Sequence, residues 1–251
     1  MTEPTGGKQE ALKIFRGLSA SYDPVLDYGT LMQDRRWKAW VARKARLTSG
    51  SKVLDIGCGT CILEGRLRRD CLVVGVDLTE EMLRIAQARR PQTVDSLLRS
   101  DGEKLPFRDG IFDAVVSCYV VKYCETRILA SEMARVLKLG GRLALYDFVR
   151  PRGSTWPFNA IYTYGGLRLF GKLLEVKGST SAYTFAALPR IIAGSRWEEQ
   201  LGHELSRSGF SGVERTLLSG GSAMGFIAVK QEANEKARRI GLAEVSGPAN
   251  A

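Results

Sequence analysis

The chain has little of what several functional classes require. Its 251 residues include one histidine and no apolar run of about 20 residues, the length that crosses a bilayer. The first ten residues lack the apolar core of a secretion signal. The five cysteines are odd in number and spread along the chain, which indicates reduced thiols rather than a disulfide framework. We therefore expect a cytoplasmic protein without a membrane-spanning helix.

A third glycine is also missing from an otherwise glycine-bearing turn. The apolar run 53–56 predicts a buried strand, and Gly57 and Gly59 then let the backbone turn sharply. Dinucleotide sites require a further glycine five residues after Gly57, and none is present. A second apolar run, 73–76, ends in Asp77, where a carboxylate can accept both hydroxyls of a ribose. The pattern predicts a β-α-β unit for an adenosine-containing cofactor.

An acidic residue just before the turn limits which adenosine-containing cofactors can bind there. Asp55 would repel a pyrophosphate, whereas it suits a cationic or zwitterionic ligand. The stretch Asp55-Ile56-Gly57-Cys58-Gly59-Thr60-Cys61 resembles the first motif of class I S-adenosylmethionine (SAM) methyltransferases, whose cofactor carries a sulfonium and an amino group. Cys61 stands where that family usually has a third glycine. The structural alternative is a strand-turn-helix unit that is packed only for stability.

Three later motifs resemble the same family in the same order. Residues 100–107 resemble the loop whose acid or amide binds the adenine amino group, and residues 112–117 resemble the fourth strand. Residues 135–143 resemble its helix-turn-strand unit, with Leu139 in place of the usual proline. The resemblance implies an α/β Rossmann-like fold, with a seven-stranded mostly parallel sheet, helices on both faces and an N-terminal helical cap. It also implies a SAM-dependent enzyme.

The resemblance carries twelve cofactor-binding positions over to this chain. They are Asp55, Gly57, Cys58, Gly59, Thr60, Asp77, Leu78, Met82, Asp101, Gly102, Glu103 and Ser117. Cys58 and Cys61 have a Cys-x-x-Cys spacing, but no second pair supports zinc, so no metal site is expected.

Charge and hydropathy patterns suggest three divisions of the chain. We expect a helical cap at 1–47, a SAM-binding domain at 48–230 and a polar tail at 231–251, with a substrate lid inserted at 151–194. Helices are predicted near 8–19, 31–46 and 197–208, and the last of these carries His203 on its surface. Strands are predicted at 212–217 and 223–229.

The flanking segments resemble a narrower family, the C-methyltransferases of ubiquinone and menaquinone biosynthesis. Residues 14–23 resemble their N-terminal helix ending in Tyr-Asp, and residues 30–38 and 146–151 resemble two further motifs. The resemblance runs from about residue 11 to residue 230. One motif differs from that of the family. The family has Ser-Phe-Gly-Leu-Arg-Asn, with the Arg-Asn pair near the quinol, at the place of residues 117–123 of this chain. Lys122 retains a positive charge there, but it lacks the planar guanidinium group of arginine.

These motifs support C-methylation of a prenylated, demethylmenaquinol-like ring as the first hypothesis. Losing a hydroxyl proton raises the electron density of such a ring, so a base or a cation beside it is useful. The candidates are Tyr22, Lys122, Tyr123 and Tyr183, each of which also has an interpretation as a packing or surface residue.

Other functions remain open from the sequence. Phospholipid N-methylation and O-methylation of a small apolar acceptor are the enzymatic alternatives, and a non-enzymatic SAM-binding subunit is a third. The net charge of +10 alone suggests RNA methylation, but no RNA-binding module accompanies it. The basic, tryptophan-containing residues 35–46 and the aromatic lid suggest contact with the inner face of a membrane, or plain packing. The oligomeric state stays open, a homodimer included.

Overall fold

The computed structural model describes residues 6–89, 94–152, 156–166, 169, 172 and 182–231. In this part of the chain, three helices precede a region in which strands and helices alternate. The helices are α1 (Gly6–Leu18), α2 (Tyr22–Gly29), α3 (Gln33–Lys44), α4 (Glu80–Arg89), α5 (Thr126–Val136), α6 (Trp156–Ala160), α7 (Ala182–Gly194) and α8 (Trp197–Arg207). The strands are β1 (Lys52–Ile56), β2 (Leu72–Asp77), β3 (Val94–Arg99), β4 (Phe112–Cys118), β5 (Leu137–Phe148), β6 (Phe210–Leu218) and β7 (Ala223–Lys230).

The described strands form one seven-stranded sheet with the order β3-β2-β1-β4-β5-β7-β6. The first five strands are parallel, and β7 runs antiparallel between β5 and β6. The predicted seven-stranded, mostly parallel sheet is therefore confirmed. Strand β6 is slightly longer at both ends than the sequence pattern indicated, and β7 extends one residue further at its end.

Both faces of the sheet are covered because its central strands are apolar on both sides. Leu54 of β1 packs with Leu129 of α5 and Leu201 of α8 in one buried cluster. Val53 points the other way and packs with Trp37 and other residues of α3 in a second cluster. Successive side chains of one strand therefore pack into two hydrophobic layers, one on each face of the sheet, as expected for a parallel sheet between helices.

The basic helix α3 uses its tryptophans for packing. Trp37 and Trp40 are only 3% and 8% exposed. The Trp37 indole donates to the Ser219 hydroxyl at 2.9 Å, and a Cβ on Gly225 would lie 2.4 Å from the Trp40 ring. Of the interpretations that the sequence left open, the structure supports a helix that covers the sheet, not one that presents tryptophans to lipid or RNA.

Two details of the N-terminal segment differ from the predicted helices. Residues 22–29 form α2, which the sequence did not indicate. Helix α3 begins at Gln33 rather than near residue 31, because Leu31 and Met32 adopt positive φ values of 50° and 63°. A left-handed backbone cannot continue a right-handed helix.

None of the described helices combines the length and apolar character that a membrane span requires.

A buried carboxylate ties α3 to the centre of the sheet. Asp34 Oδ1 accepts hydrogen bonds from the hydroxyls of Tyr119 and Tyr146 at 2.9 and 2.8 Å. Lys38 Nζ lies 2.6 Å from both Asp34 oxygens. Burial raises the pKa of Tyr119 and of Tyr146, so both hydroxyls keep the protons that they donate. The network fixes the helix against β4 and β5 at the edge where the site lies.

Removing this carboxylate should destabilise the protein strongly. Asp34→Ala leaves the buried Lys38 ammonium without its partner, and such a loss costs about 3–5 kcal/mol. Asp27→Ala, which breaks the more exposed pair with Arg35, is the matched control and should cost at most about 1 kcal/mol. Urea unfolding measures both free energies. Equal losses in the two variants would contradict the structural role given to Asp34.

The predicted divisions of the chain are described only in part. Within the lid range 151–194, the structure shows α6, a π-helical turn at Ile161–Gly166 and α7. The tail at 232–251 lies outside the described residues, so the predicted polar tail stays a prediction.

Candidate cofactor and acceptor site

A cleft lies at the carboxyl ends of β1, β2 and β4, with about 690 Å³ of empty space. The order of the parallel strands reverses between β1 and β4, and ligands of open α/β sheets bind at this point. Ile56, Gly57 and Gly59 line the cleft from the turn after β1, and Lys8 and Phe15 cover it from α1.

The turn after β1 depends on backbone geometry that favours glycine. Gly57 has a φ of 74°, and a Cβ there would lie 2.1 Å from Val120 Cγ2. The amides of Gly57 and Cys58 both donate to the Val76 carbonyl oxygen, at 2.7 and 3.0 Å. Cys61 has a φ of 60°, so the position where the resembled family carries glycine is left-handed here too.

Asp77 is fixed at the edge of the cleft by the turn itself. Its Oδ2 accepts the Gly59 amide at 2.9 Å, and its Oδ1 accepts the Thr79 amide at 2.8 Å. Burial raises the pKa of Asp77, and these amide donors oppose the shift. Each carboxylate oxygen keeps a further lone pair that can accept a ribose hydroxyl. The residues present therefore fit the nucleoside part of SAM.

The opposite end of the cleft is closed by α1. Lys8 Nζ lies 2.6 Å from Asp101 Oδ2 and 2.7 Å from Glu103 Oε2. Burial lowers the pKa of Lys8, but the two carboxylates outweigh burial and raise it. No sequence pattern marks Lys8 as a site residue, because a lysine near the N-terminus belongs to no motif.

Seven of the twelve predicted cofactor residues line the cleft, namely Gly57, Gly59, Asp77, Leu78, Met82, Asp101 and Gly102. The other five lie outside this lining, and these are Asp55, Cys58, Thr60, Glu103 and Ser117. Among these five, Glu103 pairs with Lys8, Ser117 donates to the Ile56 carbonyl oxygen, and Thr60 donates to Asp23.

Asp55 lies beneath the turn and is almost completely buried. Side chains alternate along β1, so Asp55 shares the face of Val53 rather than that of Ile56, which lines the cleft. Burial, together with the negative charge of Glu64, raises the pKa of Asp55. Asp55 thus lies under the turn and outside the lining of the cleft, and its predicted role in cofactor binding stays a prediction.

Glu64 also approaches the Cys-x-x-Cys pair. Potential ligand atoms of Cys58, Cys61 and Glu64 lie within 4.8 Å of one another, and all three residues are buried. Among the described residues the group supplies three ligand atoms, one fewer than a structural zinc site uses. The cluster therefore does not make a complete structural zinc site.

A second, apolar chamber of about 510 Å³ adjoins the cleft. Four aromatic residues line both spaces, and these are Phe15, Tyr22, Tyr119 and Tyr123. The Phe15 ring meets Tyr22 and Tyr123 edge-on at centroid distances of 5.9 and 5.8 Å. Two of the four predicted catalytic residues, Tyr22 and Tyr123, therefore lie at the junction of the two spaces.

Lys122 lies on the wall of this chamber, with a side chain only 1% exposed. Its Nζ lies 2.7 Å from Asp147 Oδ1 and 2.7 Å from the Tyr119 carbonyl oxygen, and 4.3 Å from the centre of the Tyr123 ring. Burial lowers the pKa of Lys122, although Asp147 opposes the shift. Asp147 stands near the end of β5, but no sequence pattern marks this residue as a functional candidate.

Tyr183, the fourth catalytic candidate, does not line either space. It is half-exposed on α7, and its hydroxyl donates to Glu10 Oε1 at 2.7 Å. This bond joins α7 to α1. In this structure Tyr183 links two helices, and its predicted catalytic role stays a prediction.

Comparison with known proteins agrees with this geometry. Residues 54–145 match a family described as "Methyltransferase domain". A demethylmenaquinone methyltransferase of Streptomyces avermitilis is 31% identical over 227 residues, which cover 88% of this chain and 95% of that protein. A demethylmenaquinone methyltransferase of Mycobacterium tuberculosis is 31% identical over 218 residues, covering 85% and 89% of the two chains.

The chain belongs to the demethylmenaquinone methyltransferase family. It is therefore a class I SAM-dependent methyltransferase, and the predicted cofactor and enzyme class are confirmed.

Solved structures support the fold of this methyltransferase. The [4+2]-cyclase SpnF aligns with a TM-score of 0.62 and 17% identity, over 92% of this chain and 99% of its own. Phosphoethanolamine N-methyltransferase 2 of Haemonchus contortus, solved with SAM, aligns with a TM-score of 0.56 and 17% identity, over 79% and 53% of the two chains. At these identities the likeness shows the fold alone, and the two proteins are named for different activities.

Asp77 offers a direct test of the cofactor site. In Asp77→Asn one acceptor oxygen is replaced by a donor, so the dissociation constant for S-adenosylhomocysteine should rise roughly 10- to 100-fold. Asp70→Asn, at an exposed acid away from the cleft, should leave it unchanged. Titration calorimetry measures both constants, and equal affinity in the Asp77 variant and the wild type would contradict the assignment.

The buried carboxyl group of Asp77 also predicts that affinity for S-adenosylhomocysteine depends on pH. Because burial raises the pKa of Asp77, its carboxylate takes up a proton at a higher pH than an ordinary aspartate does. Protonation removes an acceptor that the ribose needs, so affinity for S-adenosylhomocysteine should fall as the pH is lowered. Calorimetry between pH 8 and pH 5 should show this loss in the wild type and a weaker one in Asp77→Asn.

Proposed function

We propose that this methyltransferase methylates a ring carbon of a prenylated quinol. The observation that carries the proposal is an apolar chamber that adjoins the cofactor cleft and has one buried cation, Lys122, on its wall. The relatives named as demethylmenaquinone methyltransferases support the same class of acceptor.

The lining of the chamber favours an apolar, aromatic acceptor. Aliphatic and aromatic side chains dominate it, including Val25, Leu26, Phe148, Phe185 and Leu188. Among the described residues that line it there is no aspartate or glutamate. An ammonium head group would lose its hydration there without gaining a carboxylate, which is unfavourable. A quinol ring with a prenyl chain has no such penalty.

Lys122 supplies the charge that ring methylation needs. When bound, SAM provides an electrophilic methyl group on its sulfonium. The ring carbon becomes a stronger nucleophile once a neighbouring hydroxyl has given its proton to water, and the Lys122 ammonium on the chamber wall can stabilise that phenolate. After the carbon has bonded the methyl group, the hydrogen that it carried leaves as a proton and the ring becomes aromatic again. Asp147 holds the ammonium in place at 2.7 Å.

The tyrosines at the junction serve as donors rather than bases. Burial raises the pKa of Tyr22 and of Tyr123, so both hydroxyls stay protonated at neutral pH. They can orient the acceptor by donating hydrogen bonds. The surrounding aromatic rings exclude water, and alignment of the two reactants then supplies most of the acceleration.

Substitution of Lys122 should lower turnover without affecting cofactor affinity. Lys122→Met removes the cation from the chamber and should reduce kcat with demethylmenaquinol about 100-fold, while Lys122→Arg should retain part of the rate. Lys138→Met, at a half-exposed lysine paired with Asp113, is the control and should keep full activity. Unchanged turnover in Lys122→Met would remove Lys122 from the mechanism.

The acceptor itself is tested by competition between substrate classes. The enzyme is supplied with methyl-labelled SAM and, in parallel, demethylmenaquinol, phosphatidylethanolamine and bulk RNA. We expect label in the quinol alone, and carbon NMR should place the new methyl group on the ring. Label only in the phospholipid or the RNA, or a methyl group on oxygen, would refute the proposal.

A further inference from the structure

One surface of the protein presents large apolar side chains to solvent from two separate segments. We name this surface the apolar tip and define it as Tyr28, Leu31, Met32, Phe158 and Ile161. Every member exposes at least 44% of its surface, and Ile161 exposes 73%. The Tyr162 hydroxyl donates to the Gly29 carbonyl oxygen at 2.8 Å, so the two segments are in contact. Five large apolar side chains grouped in this way mark an interaction surface.

The backbone of the apolar tip is held in place. Leu31 and Met32 are left-handed, a conformation that side chains other than glycine rarely adopt. The Met32 amide donates to the Asp27 carbonyl oxygen at 2.7 Å, and the Thr30 hydroxyl donates to the Leu26 carbonyl oxygen at 2.8 Å. The turn is thus fixed by hydrogen bonds in a shape that exposes its apolar side chains.

Arginines lie beside the apolar tip. Arg36 and Arg43, two helical turns apart on α3, line the same groove as Leu31 and Phe158. Both are exposed, and none of the described acidic side chains lies within ion-pair distance of either. An apolar surface with cations at its rim is complementary to an anionic lipid bilayer, where phosphates lie above the acyl chains.

The surface also adjoins the acceptor chamber. Gly29, Thr30 and Phe148 line both the chamber and the groove. We propose that the apolar tip inserts into an anionic bilayer, with Arg36 and Arg43 on lipid phosphates, and that the acceptor passes from the bilayer into the chamber. The identity of the acceptor in this proposal rests on the proposed function, whereas lipid binding by the apolar tip does not depend on it.

Two other occupants fit the surface less well. RNA binding relies on rings that stack on bases, and three of the five tip residues, Leu31, Met32 and Ile161, carry no ring, so only Tyr28 and Phe158 could stack. A symmetric dimer would place the same patch on both subunits and bring the arginines of one copy towards those of the other. The bilayer satisfies the apolar and the charged groups together.

Vesicle flotation without cofactor or acceptor tests the proposal. The wild-type protein should bind vesicles of phosphatidylglycerol and phosphatidylcholine in equal parts at least about tenfold more tightly than vesicles of phosphatidylcholine alone, and added salt should weaken the binding. Arg36→Gln with Arg43→Gln should lower binding roughly 30-fold, at about fivefold for each charge. Leu31→Ser with Met32→Ser should lower it about tenfold.

Matched variants elsewhere on the surface are the controls. Arg127→Gln with Arg207→Gln removes the same charge, and Leu139→Ser with Leu217→Ser removes exposed leucines, so neither pair should change vesicle binding by more than about twofold. Unchanged affinity for S-adenosylhomocysteine verifies that each variant is folded. Equal losses in the controls and the tip variants would overturn the proposal, as would a dimer that Leu31→Ser with Met32→Ser dissociates while vesicle binding persists.

An inserted tryptophan gives an independent readout. Leu31→Trp should show a blue shift of its emission on the anionic vesicles, and Leu139→Trp should not. Absence of the shift at position 31 would argue against insertion. Vesicle binding without any methylation of demethylmenaquinol would refute the proposed function and leave the docking surface standing, so the two proposals fail separately.

Discussion

The turn after β1 is the constraint on which the site depends. Its amides at Gly57 and Cys58 bind the end of β2, and the Gly59 amide binds Asp77. The turn therefore fixes both the floor of the cleft and the carboxylate at its edge. Left-handed backbone at Gly57, Gly59 and Cys61 makes this compact path possible, and Cys61 shows that the path persists where a glycine has been replaced.

Two buried carboxylates organise the rest of the molecule around that turn. Asp34 joins α3 to the ends of β4 and β5, which carry Tyr119 and Tyr146. Asp147, one residue beyond Tyr146, holds Lys122 on the chamber wall. The packing network and the proposed catalytic network thus share adjacent positions on one strand, so the stability of this edge and the placement of the cation are linked.

The sequence predicted the parts of the structure that depend on local patterns. The apolar runs of β1 and β2, the glycine turn and Asp77 were all recognisable, because strand burial and backbone turns leave residue signatures. Lys8 and Asp147 were not, since they act through partners 93 and 25 residues away. Asp55 lies outside the lining of the cleft because side chains alternate along β1, whereas the motif gives only its position along that strand.

Helix α1 covers both the cofactor cleft and the apolar chamber. Phe15 of α1 touches both the cofactor cleft and the apolar chamber, and Lys8 of the same helix closes the far end of the cleft. Any displacement that opens one compartment disturbs the other. Because α1 covers both spaces, a ligand that stabilises this position of α1 from one space would also favour binding in the other.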